Sequence, residues 1–433
     1  MDTPRDMTYD QDAVSPRKNE DCMAIEPRYI QFSPDVTKGA LYVPDSGPTP
    51  HVALLVMHRT SNYLPHTANI ELSKRGFVML GMNPRFDNNE TLVDFEAVAL
   101  DVKEGVKFLR SLPGITHVLL LGHSGGGPTM TFYQAVAENG LSYCRNPDKL
   151  HVTGHALADL PPVDGLVLMD ADPGHNIHLL RNLMPMLPGC NDPGSFDPSL
   201  NPFDPQNGFN PKGASHYSDD FKTRYYRAQS DRMNALIADA QEKISAINAG
   251  KYKYPDDDTF LIARGEGASL WELDPSVAHT TQKPRKLLKN DGTISTQIIE
   301  NVRVATQGLD QENASFDGGT VNLTLQSFIS TQAIRSTNSL DGIDYGSSNN
   351  STTCALQNIT VPVMIATMGA WIYMCDNEIH YENAKSQDKD FVVIEGALHE
   401  FQPCVPCESV PGQYSNTVQN LFDYTRDWLN ARY

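Results

Sequence analysis

The sequence predicts an α/β protein: a mostly parallel central sheet with helices on both faces, interrupted late in the chain by a large mixed insertion. Three observations lead there. Short apolar runs alternate with helix-period segments between His51 and Met169, the pattern of parallel strands joined by helical crossovers. One run, Val118-Leu119-Leu120-Leu121, ends abruptly in a glycine-flanked serine, Gly122-His123-Ser124-Gly125-Gly126. After Asn176 the alternation stops, and it resumes only at Val361.

Residues 1–26 are polar and lack an apolar signal-peptide core, so a loose arm is expected there. Arg28 to Phe32 and Thr37 to Val43 alternate around Ser33-Pro34-Asp35 and read as an antiparallel pair at a sheet edge. His51 to Met57 and Phe77 to Met82 read as buried strands flanking a helix from Thr67 to Lys74 that stops at Gly76. Asp94 to Leu112 places Phe95, Val98, Val102, Val106 and Leu109 at helical spacing and ends at Pro113-Gly114. Val163 to Met169 is another buried strand, and it closes a first core portion over residues 27–175.

Residues 176–353 break the pattern. Met184 to Pro211 is rich in Pro, Gly, Asn and Asp, Phe221 to Asn248 reads as a long polar helix, and Thr259 to Ala305 as short strands with a hairpin turn at Lys289 to Thr293. Ser327 to Arg335 reads as a short helix. A structureless loop of this length is improbable, so the block is expected to be a cap or lid over the sheet. Residues 354–433 return to the core, with strands at Val361 to Thr367 and Phe391 to Ile394 and helices at Glu378 to Ser386 and Ser415 to Leu429.

The serine carries the chemistry. It falls where an apolar strand meets a helix, and Gly122 and Gly126 allow the tight turn that would lift its Oγ over the sheet end. The competing reading is a glycine-rich turn with an idle serine. The motif and its setting resemble the α/β-hydrolase superfamily, whose members commonly carry caps at the point where this insertion lies. The resemblance implies an α/β-hydrolase fold and a Ser-acid-His chain order. It is also seen from Pro403 to Tyr414, a tract similar to uncharacterised fungal and bacterial α/β-fold hydrolases.

A serine nucleophile needs a base, and the base an orienting acid. His399 directly follows the last strand, the place the resemblance assigns to the base. For the acid, Glu378 is preferred over Asp376, which is well placed to cap the following helix, while Asp170 or Asp172 after Met169 is the outside candidate. The oxyanion site is expected to use the N–H of Gly125 and one from His58-Arg59-Thr60, with His58 and His123 near the substrate. Arg59 either narrows and charges this pocket or pairs with an acid such as Asp87.

The reading is a cap-bearing serine hydrolase of a small or medium ester, lactone or related acyl compound, needing no cofactor. Its alternatives are C–C bond hydrolysis, acyl transfer, a non-hydrolytic biosynthetic step on the same fold, or an inactive binding scaffold. A rival places a metal among His58, His123, His175 and His399, though no metal is expected. With 53 acidic against 34 basic residues and a formal charge of −19, nucleic acid is a disfavoured partner, and no apolar run is long enough for a membrane span. A small-molecule substrate is expected, and a homodimer is left open. Seven cysteines do not suggest a dense disulfide framework, although Cys404-Val405-Pro406-Cys407 could close one local loop. A cytoplasmic protein is expected, with secretion the alternative.

Overall fold

The computed structural model describes residues 26–32, 36–186, 197–263, 269–305 and 320–433. The expected arm over residues 1–26 therefore lies almost wholly outside the described residues.

The core strands are β1 (Arg28–Gln31), β2 (Lys38–Tyr42), β3 (Val52–Met57), β4 (Val78–Asn83), β5 (His117–Ser124) and β6 (Gly165–Ala171). The insertion supplies β7 (Thr259–Ala263), β8 (Arg285–Leu288), β9 (Ile294–Gln297) and β10 (Thr320–Thr324), and the chain ends with β11 (Val363–Met368) and β12 (Lys389–Ile394). Ten of them form one sheet in the order β1-β2-β4-β3-β5-β6-β11-β12-β8-β9. The run from β4 through β8 is parallel, and β1–β2, β2–β4 and β8–β9 are antiparallel.

The central strands read as unbroken apolar runs because both of their faces are covered. One side is filled by Leu55, Leu120, Leu168 and Val393 with the helices Phe95–Ser111 and Gly126–Asn139. On the other, Leu54, Leu121, Val167 and Ile394 meet the helices Thr67–Ser73 and Thr417–Asn430. Asp94 caps the helix Phe95–Ser111 by accepting from Ala97 N–H, as its position before the apolar period suggests.

One part of the insertion is not a cap. Residues 285–297 extend the main sheet, since β8 pairs in parallel with β12 (Val393 opposite Leu287) and β9 completes a hairpin around Lys289 to Thr293. The edge of β12 would otherwise expose unpaired backbone groups, and β8 satisfies them.

The remaining described part of the insertion has its own small core, with Met233, Leu236 and Ile237 of the helix Asp219–Asn248 packed with Leu180, Phe260, Leu323 and Phe328. It is fastened to the sheet layer at Ser330, whose Oγ accepts from Phe95 N–H at 2.9 Å and donates to buried Glu96 at 2.6 Å.

Candidate active site

Ser124 ends β5 with φ of +53°, a left-handed conformation unfavourable for any residue with a Cβ. The pairing with β6 slips between His123 and Ser124, so the strand lets go of its neighbour at the serine. The helix Gly126–Asn139 begins two residues later. Glycine is required around this turn by close packing. A Cβ at Gly122 would sit 2.9 Å from Gly126 O and Gly127 Cα, and one at Gly127 would sit 2.6 Å from Ala171 Cβ. Ser124 is thereby left half-buried among fully buried neighbours, its side chain at the sheet's carboxyl end.

His399 lies on the loop after β12. Its Nδ1 donates to Asp170 Oδ2 at 2.6 Å, which leaves Nε2 as the acceptor nitrogen. Asp170 is fully buried, and its other oxygen accepts from Thr367 Oγ1 at 3.0 Å and Met368 N–H at 3.1 Å. It too adopts a left-handed φ, +44°. Burial works against a charged His399, yet the Asp170 hydrogen bond and charge outweigh it and raise the imidazole's pKa.

Neither Glu378 nor Asp376 reaches His399. The helix expected from Glu378 begins earlier and spans Met374–Asn383, so both acids sit inside it instead of on the loop before it. Glu378 accepts from Arg285 Nε at 2.8 Å and from the backbone of Gln282 and Lys283, anchoring the entry to β8. Asp376 is not the cap of its helix. It receives both terminal nitrogens of Arg181, at 2.7 and 2.9 Å. The partner of His399 comes instead from the Asp170-Ala171-Asp172 run at the end of β6, beside the elbow strand. Asp170 is thus the outside candidate of the sequence, and the signal for it is its position, an acid closing an apolar strand next to the strand that ends in Ser124.

His123 works as a brace. A backbone carbonyl can only accept, so the 3.0 Å contact between His123 Nε2 and His399 O puts the proton on Nε2. His123 Nδ1 then accepts from His66 Nε2 at 3.0 Å, and His66 Nδ1 accepts from Ala68 N–H. Burial holds both rings neutral, lowering His66 to about 3. Ligand atoms of His123, His399 and Glu400 lie within 4.8 Å of one another, but the ring nitrogens of His123 and Nδ1 of His399 already have partners. His58 and His175 stand outside this group, and the four-histidine cluster is not assembled.

Beside Gly125, His58 Nδ1 accepts from the N–H groups of Thr60 and Ser61 at 3.1 and 3.0 Å. The Thr60 N–H is therefore taken, and of Arg59 and Thr60 the N–H outside this bond is that of Arg59. Gly125 leaves room for both neighbouring side chains, since a Cβ there would meet His58 Nε2 at 2.3 Å and Arg59 Nη1 at 2.7 Å. Arg59 pairs with an acid, as one of the two readings expected, but the acid is Glu90 at 2.8 Å, while Asp87 accepts from Asn83.

The strand order, the strained serine between β5 and its helix, and the histidine after the last parallel core strand, β12, occur together. The chain has an α/β-hydrolase fold.

No protein-family model matches this sequence, and no curated protein does. Among solved structures, Est1E from Butyrivibrio proteoclasticus is similar at 9% identity and a TM-score of 0.41, over 94% of this chain and 98% of that one. The alpha/beta hydrolase GrgF from Penicillium sp. sh18 gives 10% and 0.41 over 94% and 98%. A soluble variant of monoglyceride lipase from Saccharomyces cerevisiae gives 13% and 0.40 over 95% and 96%. At these values the likenesses carry nothing about reaction, substrate or residue roles, and the hydrolase fold stands on its strand order and turn geometry. No helix among the described residues is long and apolar enough to cross a membrane.

Proposed function

We propose that the protein is a serine hydrolase that cleaves a carboxylic ester, lactone or related acyl compound through Ser124, His399 and Asp170. The observation that carries this reading is the 2.6 Å bond from His399 Nδ1 to Asp170, made on the loop edge where the strained Ser124 ends its strand. It supports His399 as a base with the correct nitrogen free.

Ser124 Oγ attacks the carbonyl carbon while His399 Nε2 takes its proton. The N–H groups of Gly125 and Arg59 stabilise the oxyanion. The imidazolium then gives the proton to the leaving alcohol oxygen as the C–O bond breaks. Water adds to the acyl-enzyme by the same route, releasing the acid and free Ser124. Asp170 orients the ring and stabilises its charged form without taking the proton. His123 and Trp371 hold the base from outside the reaction. Trp371 stacks on His399 with ring centroids 5.2 Å apart and 19° between planes.

Labelling with a fluorophosphonate and hydrolysis of p-nitrophenyl esters of graded acyl length test the reading. Wild-type protein should label at Ser124 and turn over at least one ester, and Ser124→Ala should do neither. Folded wild type that is inert and unlabelled would move the assignment to a binding scaffold.

A further inference from the structure

His58 follows β3 directly, and β3 runs parallel to β5 with Val56 opposite Leu121, so the segments leaving the two strands meet at one edge of the sheet. They meet closely. A Cβ at Gly126 would sit 2.8 Å from Met57 O, and one at Gly125 would sit 2.3 Å from His58 Nε2 and 2.9 Å from His58 Cδ2. The Nε2 edge of the imidazole therefore faces the residue after the nucleophile, within about 4 Å of Gly125 Cα.

The opposite edge of the ring fixes the tautomer. Nδ1 accepts from Thr60 N–H at 3.1 Å and from Ser61 N–H at 3.0 Å, which leaves no place for a hydrogen on it. The hydrogen of the neutral ring is on Nε2. Burial first, and then the charge of Arg59, hold the pKa of His58 well below the ordinary histidine value, so the ring stays neutral where His399 titrates. Nε2 has no hydrogen-bond partner among the described residues. Nor is it sealed. The shielded, partnerless nitrogens beside it are Nε and Nη1 of Arg59, whereas Nε2 reaches solvent from a residue that is only 7% exposed.

We propose that His58 is a third oxyanion donor, its Nε2–H standing beside the N–H of Gly125 and donating to the substrate carbonyl oxygen as that oxygen becomes negative. The inference rests on the serine hydrolase reading. His58 transfers no proton: its hydrogen stays on Nε2 while Ser124 and His399 exchange theirs. A ring that only tied the loop through Nδ1 could be replaced by asparagine, whose side chain accepts from the N–H two residues on. Such a role gives no use to a second nitrogen turned towards Gly125 with its hydrogen unpaired. A fixed neutral donor aimed at developing charge needs no reorganisation during the reaction, which is why one of them is worth a large factor in rate.

Two substitutions separate the two edges of the ring. His58→Asn keeps an acceptor for the loop and removes the donor; His58→Gln extends an amide N–H towards the place of Nε2. In His58→Asn, kcat should fall by roughly 10²- to 10³-fold with KM little changed, the scale of losing one oxyanion donor. Affinity for a trifluoromethyl ketone, whose serine adduct carries the oxyanion, should fall by a similar factor while Tm stays at the wild-type value. His58→Gln should recover at least part of the loss. Independently of any variant, the proton resonance of His58 Nε2–H in the wild type should move downfield when the ketone adduct forms, and an unmoved resonance overturns the donor. Wild-type kcat in His58→Asn overturns it as well and leaves the serine reaction standing. Equal losses in both variants with unchanged ketone affinity assign His58 to holding the loop and also overturn it. Folded wild type that neither labels at Ser124 nor turns over esters removes the reaction itself, and the donor with it.

Discussion

His399 Nδ1 and Asp170 Oδ2 meet at 2.6 Å from the ends of β12 and β6, two strands held apart in the sheet by β11. The intervening strand contributes to the contact, because Thr367 and Met368 of β11 hold the second oxygen of Asp170 and point the first at the imidazole. Asp170→Asn keeps the shape of the side chain but replaces an acceptor with an amide that cannot accept from Nδ1 in the same way. Steady-state kinetics should show kcat reduced by roughly 10³- to 10⁴-fold, the scale known for losing the orienting acid of such a triad. Glu378→Gln should leave kcat near the wild-type value in folded protein, and a collapse there would return the acid's role to Glu378.

On the serine hydrolase reading, the same pair sets the pH dependence of turnover. His399 must be neutral to accept the serine proton, so kcat/KM falls as pH drops through its pKa in the free enzyme. Burial depresses that pKa, but Asp170 raises it by more. The acidic limb should therefore lie above the ordinary histidine value of about 6.5. In Asp170→Asn the residual activity should show that limb displaced to lower pH. An unmoved limb would mean that another group governs it.

Several buried histidines shape stability in the opposite direction. Burial lowers His66 to about 3 and His178 and His380 each to about 4, so in the folded protein they stay neutral where the unfolded chain is protonated. Their stability contribution is intact above the unfolded value near 6.5 and is lost as pH falls towards the folded values, by about 1.4 kcal/mol per pH unit for each such proton. His399, with its raised pKa, contributes oppositely: its share is complete below the unfolded value and disappears as pH rises through the folded one. Thermal melts should show a steep loss of Tm between roughly pH 6.5 and 4. His66→Asn, which keeps a helix-capping side chain, should flatten that slope.

Asp376 is expected to matter for stability and not for the proposed chemistry. Its two bonds from Arg181 join the first helix of the insertion, His175–Asn182, to the helix after β11, and both side chains are buried. Arg181 also lies over the Trp271 ring at 3.9 Å. Removing one member leaves the other charge buried and unpaired, so Asp376→Asn should cost about 3–5 kcal/mol in denaturant unfolding. Its kcat, corrected for folded fraction, should stay close to wild type. Asp376→Leu with Arg181→Met should recover much of the loss, since matched apolar side chains remove both desolvation penalties.

The local parts of this protein were legible in its residues. The serine turn, its strand and the helix behind it follow from Val118 to Gly127, because a buried apolar run, a glycine-flanked turn and an apolar helix are set by neighbours in sequence. The helix expected over Asp94 to Leu112 is found at Phe95–Ser111, and the closing helix expected at Ser415 to Leu429 at Thr417–Asn430, since a cap and a 3.6-residue period mark them. His399 could be singled out because it stands directly after the last apolar run. What tertiary structure decided is pairing at a distance. β8 joins the sheet beside β12 across about a hundred residues of chain, and nothing in Arg285 to Leu288 distinguishes a strand of the insertion from an extension of the core. The choice among Asp170, Asp172, Asp376 and Glu378 was of the same kind. Each is an acid near a strand end or helix start, and only the folded chain shows that Arg181 holds Asp376, Arg285 holds Glu378, Asp172 accepts from Gly174 N–H and Asp170 meets His399. Carboxylates are claimed by whichever donor the fold brings within three ångströms, and that distance is a property of the folded chain, not of sequence order.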